Sequence, residues 1–318
     1  MGSYFARVAT TIESFESLRE WKAVGVATDT KTVAEDRIGQ YRFVRTIHAS
    51  QTSIVMEVVQ DTTGKRFVVK QLLPRDHLDS SLVKALEFEA KLGMDLRHPN
   101  LVKVFEFVRD RHAPYFVMEF FSSNHLRLAL GKPKEYGVPR DRLHRILEQA
   151  ASALAYMHDK GWIHRDIKPE NILINKTYEV RVIDYSLAMR PYTGFKKLFN
   201  RKAPCQGTHT YMSPEQILSQ PPTVKADLYS FGIVCYELAC GRPPFRADSP
   251  TDLLRKHLRE QPTPPTSHNK SVTPEFSDLV MQMIRKNPKD RPENLHEFIS
   301  RFSRIKIFHD VEDASTGR

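Results

Sequence analysis

The spacing of hydrophobic residues changes once along the chain, near residue 122. Before that point, short apolar runs rich in β-branched and aromatic residues alternate with polar turns, and one helical stretch occupies 80–94. The runs read YRFVRTI (41–47), IVMEVV (54–59), RFVVK (66–70), LVKVFEFV (101–108) and PYFVMEF (114–120). The turn Asp61-Thr62-Thr63-Gly64 joins the second run to the third. This pattern predicts an antiparallel sheet of five strands that carries one helix.

After Ser122 the apolar residues follow a helical spacing. In 141–160 they recur every three or four positions, at Leu143, Ile146, Leu147, Ala150, Ala151, Leu154 and Met157. Gly161 then supplies a stop signal. Further helices are predicted at 225–240, 250–260, 275–286 and 293–303. The expected organisation is a small β-rich lobe over 38–121 and a larger, mainly helical lobe over 122–303, with the seam near 121–124.

The two ends of the chain lack these patterns of hydrophobic spacing. Residues 1–37 are polar, with one short amphipathic stretch at 11–24, and are expected to form an N-terminal extension. The sequence does not indicate the role of this extension. Residues 304–318 are expected to form a C-terminal tail. The sequence leaves open both the oligomeric state and any continuation of the natural chain past Arg318.

Composition narrows the classes of function. The 318 residues include 48 Lys and Arg against 38 Asp and Glu, a formal charge of +10 that suits nucleic acid, anionic lipid or acidic protein partners. Basic and aromatic residues do not interleave, so no nucleic acid is expected. The longest apolar run, 228–239, is broken by Ser230 and Glu237, which predicts no membrane span. Three cysteines cannot all pair and no signal-peptide pattern opens the chain, so a cytoplasmic location is expected.

The segment richest in candidate chemistry begins at His164. It reads HRDIKPEN, followed by two short apolar runs at 172–174 and 180–183 around a polar turn. Because a hairpin enters and leaves at the same end, the flanking Asn171 and Asp184 are expected to be neighbours. Amide and carboxylate oxygens of this kind suit Mg²⁺, which keeps waters and shares substrate phosphates. Asp166 and Lys168 project from the same loop, a carboxylate to accept a proton and an ammonium to hold a phosphate.

HRDIKPEN resembles the catalytic loop H-R-D-x-K-x-x-N of the eukaryotic-like protein kinases, in its Ser/Thr form. Other segments over about 38–303 are similar to this family too. They are Val68-Val69-Lys70, GTHTYMSPE (207–215), DLYSFG (227–232) and Lys289-Asp290-Arg291-Pro292. The sequences CQGTHTYMSPEQI and GRPPF are similar to the corresponding segments of bacterial Ser/Thr kinases. The resemblance implies an α+β, bilobal protein-kinase fold, with Arg291 paired to Glu215.

The resemblance also implies the roles of the catalytic residues. Lys70 is expected to hold the α- and β-phosphates of ATP and to pair with a helix glutamate. The apolar stripe of the helix leaves Glu87 and Glu89 on opposite flanks, so periodicity does not choose between them, whereas the family spacing to His98-Pro99-Asn100 points to Glu89. The remaining roles are those of Asp166 as the base that orients the substrate hydroxyl, Lys168 at the γ-phosphate, and Asn171 and Asp184 as ligands of Mg²⁺, with Mn²⁺ as an alternative ion.

The expected adenine site is implied in the same way. Met118 resembles the gatekeeper, and backbone groups of Glu119 and Phe121 are expected to meet the base. Ile47, Val55 and Leu173 are expected to line the same site. The implied partners are ATP and protein substrates, with the chain itself as one of them.

Two departures from the family pattern affect the expected activity. The segment His48-Ala49-Ser50-Gln51-Thr52-Ser53 stands where the family has G-x-G-x-x-G and contains no glycine, although glycines there let backbone N–H groups approach phosphates. D-F-G appears as Asp184-Tyr185-Ser186, which keeps the metal-binding carboxylate and the aromatic plug. Active phosphotransfer is the main reading, because Lys70, Asp166 and Asp184 all remain. The alternative is a nucleotide-binding pseudokinase scaffold of weak or no activity.

The expected activation segment, between Asp184 and Glu215, is basic. It holds five Lys and Arg and no acid from Tyr185 to Pro214, namely Arg190, Lys196, Lys197, Arg201 and Lys202. Such a stretch is either a solvated loop or a surface for acidic substrates or a phosphate. Arg165 could pair with a phosphate on this segment, for which Thr193 and Thr210 are candidates. Thr208 is instead expected to contact Asp166 and Lys168.

Overall fold

A computed structural model of the protein describes residues 37–73, 79–110, 113–192 and 205–309. The small lobe is built on an antiparallel sheet in the order β1-β2-β3-β4-β6-β5. Its strands are β1 (Arg37–Ile38), β2 (Tyr41–Ala49), β3 (Ser53–Gln60), β4 (Arg66–Leu72), β5 (Val104–Val108) and β6 (Tyr115–Glu119). The five predicted strands are therefore present, and the two-residue β1 adds a sixth at the edge.

Helix α1 (Ser80–Asp95) covers one face of this sheet. Asp79 caps its N-terminus, because a carboxylate oxygen accepts a hydrogen bond from the N–H of Ser81 over 2.7 Å. Leu86 and Ala90 of the helix pack with three buried sheet residues, Leu72, Val104 and Phe116. The opposite face of the sheet holds a separate buried cluster, formed by Tyr41, Met56, Val58, Val69, Tyr115 and Val117.

The large lobe contains all five helices predicted for it. They are α4 (Arg140–Asp159), α6 (Val224–Cys240), α7 (Pro250–Arg259), α9 (Pro274–Met283) and α10 (Leu295–Phe302). Four short helices had no sequence signal: α2 (Leu126–Gly131), α3 (Pro133–Tyr136), α5 (Pro214–Ile217) and α8 (Pro265–His268). Helix α9 ends at Met283 rather than at the predicted 286, because Pro288 opens a 3₁₀ turn and disfavours helix before it.

A second, three-stranded sheet lies in the large lobe, just after the seam. It pairs β7 (Ser123–His125) with β8 (Ile172–Asn175), and β8 with β9 (Val180–Val182). The prediction of one strand over 101–108 is wrong in its first half, since β5 starts only at Val104. Leu101 instead bridges Val182 of the large lobe, and the N–H of Val102 donates to the Val182 carbonyl over 3.0 Å. The chain thus contacts the large lobe before it enters β5.

A buried ion pair fastens the end of the activation segment to the large lobe. The two terminal nitrogens of Arg291 donate to the two carboxylate oxygens of Glu215 over 2.6 and 2.9 Å. The Arg291 side chain is fully buried, and its remaining donors reach the carbonyl oxygens of Arg285, Lys225 and Lys286. All its hydrogen-bonding capacity is therefore used, as burial of a guanidinium requires.

Residues 304–309, which the sequence analysis assigns to the tail, pack on the large lobe. The N–H of Thr273 donates to the carbonyl of Ile307 over 3.0 Å, and the Ile307 side chain is buried in the main core. The N–H of His309 donates to the Ser271 carbonyl over 2.8 Å. Within the described ranges, none of the helices combines the length and apolar character needed to cross a bilayer.

Candidate active site

Lys70 lies on the central strand β4 and reaches helix α1. Its ammonium nitrogen donates to both carboxylate oxygens of Glu89, over 2.8 and 2.7 Å, and lies 3.9 Å from an oxygen of Asp184. Glu87 faces away and pairs with Lys91 and Arg109. The position of α1 on the sheet thus decides between the two glutamates that periodicity left open.

Burial and charge act against each other in this ion pair. Burial raises the pKa of the Glu89 carboxyl, to about 7, although the Lys70 ammonium opposes the rise. Burial also acts to lower the pKa of Lys70, but the carboxylates of Glu89 and Asp184 outweigh it, so the pKa lies above its usual value. Lys70 is therefore held as a cation beside Glu89 and Asp184.

The side chain of Asp166 is fixed at both of its oxygens. One accepts from the ammonium of Lys168 over 2.5 Å, and the other accepts from the hydroxyl of Thr208 over 3.1 Å and from its N–H over 3.2 Å. Lys168 also donates to the Thr208 hydroxyl over 3.0 Å. The amide nitrogen of Asn171 donates to the Asp166 carbonyl over 2.8 Å. Carboxylate, ammonium and amide are thereby held together on one loop.

The backbone around this loop adopts an unfavourable conformation at two positions. Arg165 and Asp184 have φ values of 69° and 70°, in the left-handed region that side chains other than glycine rarely occupy. The buried carboxylate of Asp227 on α6 holds the first of them, because it accepts from the N–H groups of His164 and Arg165, each over 2.8 Å. Left-handed conformations of this kind concentrate at functional sites.

Asn171 and Asp184 offer oxygens that fit a magnesium ion. The carbonyl of Asn171 accepts from the N–H of Ile183 over 3.0 Å, which places the two residues at one end of the β8–β9 hairpin. The amide nitrogen of Asn171 donates its hydrogen bond to the catalytic loop, so the amide oxygen is the atom that can bind a metal ion. Among the described residues no cluster of three or more His, Cys, Asp or Glu could hold a metal.

Tyr185 fills the position of the aromatic plug. Its ring is 1% exposed, lies edge-on to His164, and contacts Gly93 of α1 at the place where a Cβ would stand. Its hydroxyl donates to the carbonyl of Val102 over 3.2 Å. The next residue, Ser186, donates its N–H to the Asp184 carboxylate over 3.1 Å. This bond and the Lys70 ammonium hold the pKa of Asp184 below its usual value, although burial acts to raise it.

The residues expected to form one wall of the adenine site begin at the end of β6. Met118 is half-buried at the end of β6, and the N–H of Glu119 is already used on the carbonyl of Lys103 over 2.9 Å. The carbonyl of Phe121 accepts from the Ser123 hydroxyl over 2.9 Å.

Three further residues were expected at this wall. Val55 pairs with Lys70 across the strands β3 and β4, which places both side chains on one face of the sheet. Ile47 is 46% exposed on β2. Leu173 of β8 is half-buried and pairs with His125 of β7.

Sequence reasoning missed Arg127 of α2, which gave no motif signal. Its guanidinium donates to Glu170 of the catalytic loop over 2.9 Å and to Glu237 of α6 over 2.8 Å. The hydroxyl of Tyr211 donates to the second oxygen of Glu237 over 2.6 Å. These contacts tie the catalytic loop, α2, α6 and the end of the activation segment together.

Much of the predicted basic segment lies outside the described residues, including Thr193, Lys196, Lys197, Arg201 and Lys202. Arg190 is described, and its guanidinium lies 4.4 Å from the ring of Trp162. The Trp162 ring in turn lies 5.6 Å from that of Phe88 on α1. This aromatic contact between the lobes, next to Glu89, was not predicted either.

A family model described as the protein kinase domain matches residues 41–301. Among curated proteins, the chain is 34% identical over 250 residues to the serine/threonine-protein kinase PknB of Mycolicibacterium smegmatis, covering 74% of this chain and 40% of that one. It is 33% identical over 267 residues to the serine/threonine-protein kinase pkn3 of Myxococcus xanthus, covering 81% and 48%. A probable serine/threonine-protein kinase of Clostridium acetobutylicum is 28% identical over 268 residues, covering 84% and 40%. The chain spans less than half the length of these relatives.

Proposed function

This chain belongs to the protein kinase family, and we propose that it transfers the γ-phosphate of ATP to Ser and Thr hydroxyls of proteins. One observation carries the proposal. The ion pair of Lys70 and Glu89, with Asp184 3.9 Å from the same ammonium, accompanies an Asp166 whose two oxygens are held by Lys168 and Thr208. Such an arrangement supplies positioned charge for phosphoryl transfer.

Different side chains of the site would have separate roles in phosphoryl transfer. Lys70, held by Glu89, would bind phosphate oxygens, and Lys168 would stabilise negative charge beside the acceptor. Asn171 and Asp184 would hold Mg²⁺, with Mn²⁺ as the alternative. When bound, the nucleotide and its metal ion supply the transferable phosphoryl group and neutralise its charge.

Asp166 would act on the acceptor hydroxyl. One of its oxygens would accept the hydroxyl proton once the hydrogen bond from Lys168 or Thr208 is exchanged for one from the substrate. The loop bonds from Asn171 and Asp227 keep this carboxylate in place during the exchange. Positioning of this kind is the main source of rate in phosphoryl transfer.

The wider setting is proposed on the same basis. Kinases of this family use ATP and Mg²⁺ and act on proteins, and we include the chain itself among its substrates. The lobes are proposed to span 38–121 and 122–303, between the extension and the tail, whose residues 304–309 pack on the large lobe. A cytoplasmic location agrees with the free thiols of Cys205, Cys235 and Cys240 in the described part of the chain.

The test is transfer of labelled γ-phosphate to the chain itself and to a generic basic protein, with and without Mg²⁺. Asp166→Asn removes the base and is expected to abolish transfer. Asp159→Asn, an equal change at an exposed carboxylate, is the matched control and should transfer like wild type. Equal transfer by wild type and Asp166→Asn would reject the proposal.

The pseudokinase alternative rests on the glycine-free loop and on Ser186, which replaces the glycine of D-F-G. The site geometry does not favour it, because Lys70, Asp166, Asn171 and Asp184 all keep the contacts that transfer requires. ATP binding by the wild-type chain without any turnover would select it instead.

A further inference from the structure

The turn at residues 50–53 joins β2 to β3 and uses its own side chain to satisfy its backbone. The hydroxyl oxygen of Ser50 accepts from the N–H of Thr52 over 3.3 Å and from the N–H of Ser53 over 3.0 Å. The same hydroxyl donates to the carbonyl of Ser53 over 3.0 Å, and the N–H of Ser50 donates to that carbonyl over 2.8 Å. Two consecutive backbone donors of the turn are thus already occupied.

The turn needs no glycine to adopt this shape. Among the described residues, positive φ values occur at other glycine and non-glycine positions and at none of 48–53. The hydrogen bonds from the backbone to the Ser50 side chain stabilise this tight turn, where other turns rely on the conformational freedom of glycine.

The turn lies beside the phosphate-binding lysine. Val55 of β3 pairs with Lys70, and Ser53 pairs with Leu72 two residues further along β4. Because side chains alternate across a strand, Ser53, Val55 and Lys70 share one face of the sheet. The occupied N–H groups of Thr52 and Ser53 therefore lie at the strand end next to Lys70.

Consecutive backbone N–H groups in a turn bind phosphate oxygens well, because they point together at an anion. Here a phosphate that used these donors would first have to displace the Ser50 oxygen. We propose that Ser50 competes internally with the phosphate chain of the nucleotide and sets the affinity for ATP. This inference rests on the proposed function and adds a residue that determines how tightly the phosphates are held.

The proposal predicts that the protein binds ATP more tightly when the Ser50 hydroxyl is removed. Ser50→Ala frees both N–H groups, so the dissociation constant for ATP with Mg²⁺ should fall about three- to ten-fold, the effect of roughly one hydrogen bond. Adenosine has no phosphate, and its dissociation constant should stay unchanged. The difference between the two ligands isolates the phosphate contacts, and isothermal titration calorimetry on the full chain measures both.

Thr63→Ala is the matched control. Its hydroxyl accepts from the N–H of Lys65 over 3.3 Å in the turn at the other end of β3, away from Lys70. Neither dissociation constant should change in this variant. Ser50→Gly, which also removes the hydroxyl, should repeat the gain in ATP affinity and keeps the proposal testable if Ser50→Ala folds poorly.

The outcomes separate the two proposals. Unchanged or weaker ATP binding by both Ser50 variants, while wild type binds ATP, would overturn the role of Ser50 alone. A gain shared equally by ATP and adenosine would overturn it too, because the phosphates would not be its source. Absence of ATP binding by wild type would overturn the proposed function and the role of Ser50 together.

Discussion

The hydroxyl of Tyr185 donates a hydrogen bond to the backbone carbonyl of Val102, over 3.2 Å, across 83 residues of chain. Tyr185 stands where the family has a phenylalanine, and burial raises the pKa of its hydroxyl well above the usual value. The hydroxyl is thus a neutral donor, and the bond links the start of the activation segment to the segment that leads into β5.

Tyr185→Phe is expected to lower the free energy of unfolding by about 1 to 2 kcal/mol, since the buried Val102 carbonyl loses its donor. Urea unfolding at pH 7 measures the change. Tyr136→Phe removes a hydroxyl from a side chain that is 40% exposed, and should shift the same free energy by less than about 0.5 kcal/mol. Equal effects of the two variants would contradict the role of the bond.

Gly93 lets helix α1 approach the Tyr185 ring. A Cβ at Gly93 would lie 2.3 Å from a methyl carbon of Val104 and 3.2 Å from a ring carbon of Tyr185. Overpacking costs about 1 to 3 kcal/mol, whereas alanine gains about 1 kcal/mol in helix propensity. Gly93→Ala should therefore destabilise the protein in urea unfolding.

Gly131→Ala is the control for this prediction, because no atom lies within 4 Å of its added Cβ. It should be neutral or stabilising. The double variant Gly93→Ala with Val104→Ala should recover part of the loss, since the closest clash is removed. A more stable Gly93→Ala single variant would show that the helix shifts freely and would reject the packing argument.

The strands, the long helices and the catalytic loop could be predicted from sequence, because each carries its signal in consecutive residues. β7 could not: Ser123–His125 is short and polar, and its conformation comes from pairing with β8. Glu89 could not be chosen over Glu87 from helix period, because the choice depends on how α1 is placed on the sheet. A buried tyrosine predicts that its hydroxyl has some partner, but the carbonyl of Val102 is brought near only by the tertiary fold.

The aromatic pair of Phe88 and Trp162 supports the position of Glu89 from outside the cleft. Phe88 precedes Glu89 on α1, and its ring lies 5.6 Å from that of Trp162 in the large lobe. An aromatic pair contributes about 1 kcal/mol, so Phe88→Ala should lower kcat about five-fold as the Lys70–Glu89 pair forms less often. Steady-state kinetics with varied ATP measures the effect.

Phe105→Ala serves as the comparison, because Phe105 is a similarly exposed aromatic residue on β5, at 41%, away from Trp162. It should leave kcat near the wild-type value. Phe88→Leu, which keeps apolar contact with Trp162, should recover part of the rate. A wild-type kcat in the Phe88→Ala variant would show that the contact between Phe88 and Trp162 does not position Glu89.

Asp227 controls the stability of the catalytic loop in a pH-dependent way. Burial acts to raise the pKa of its carboxyl, but the hydrogen bond and charge of His158 and the N–H of Arg165 outweigh it, so the pKa lies below its usual value. A carboxyl group with a lowered pKa in the folded state stabilises that state above the unfolded pKa, about 3.9. The contribution is lost as the pH falls through the folded pKa.

Asp227→Asn should lower the free energy of unfolding by about 3 kcal/mol at pH 7, because an amide nitrogen would face a backbone N–H of His164 or Arg165. The gap to wild type should narrow as the pH falls below about 4, since the unfolded wild-type chain then binds a proton at Asp227 that the folded carboxylate does not bind, which lowers the free energy of unfolding. Urea unfolding at several pH values between 7 and 3 measures both effects. Asp159→Asn changes an exposed carboxylate and should follow the wild-type curve throughout. A gap that stays constant down to pH 3 would mean that Asp227 acts through its shape alone, and its charge would then have no part in holding Arg165 in the left-handed conformation.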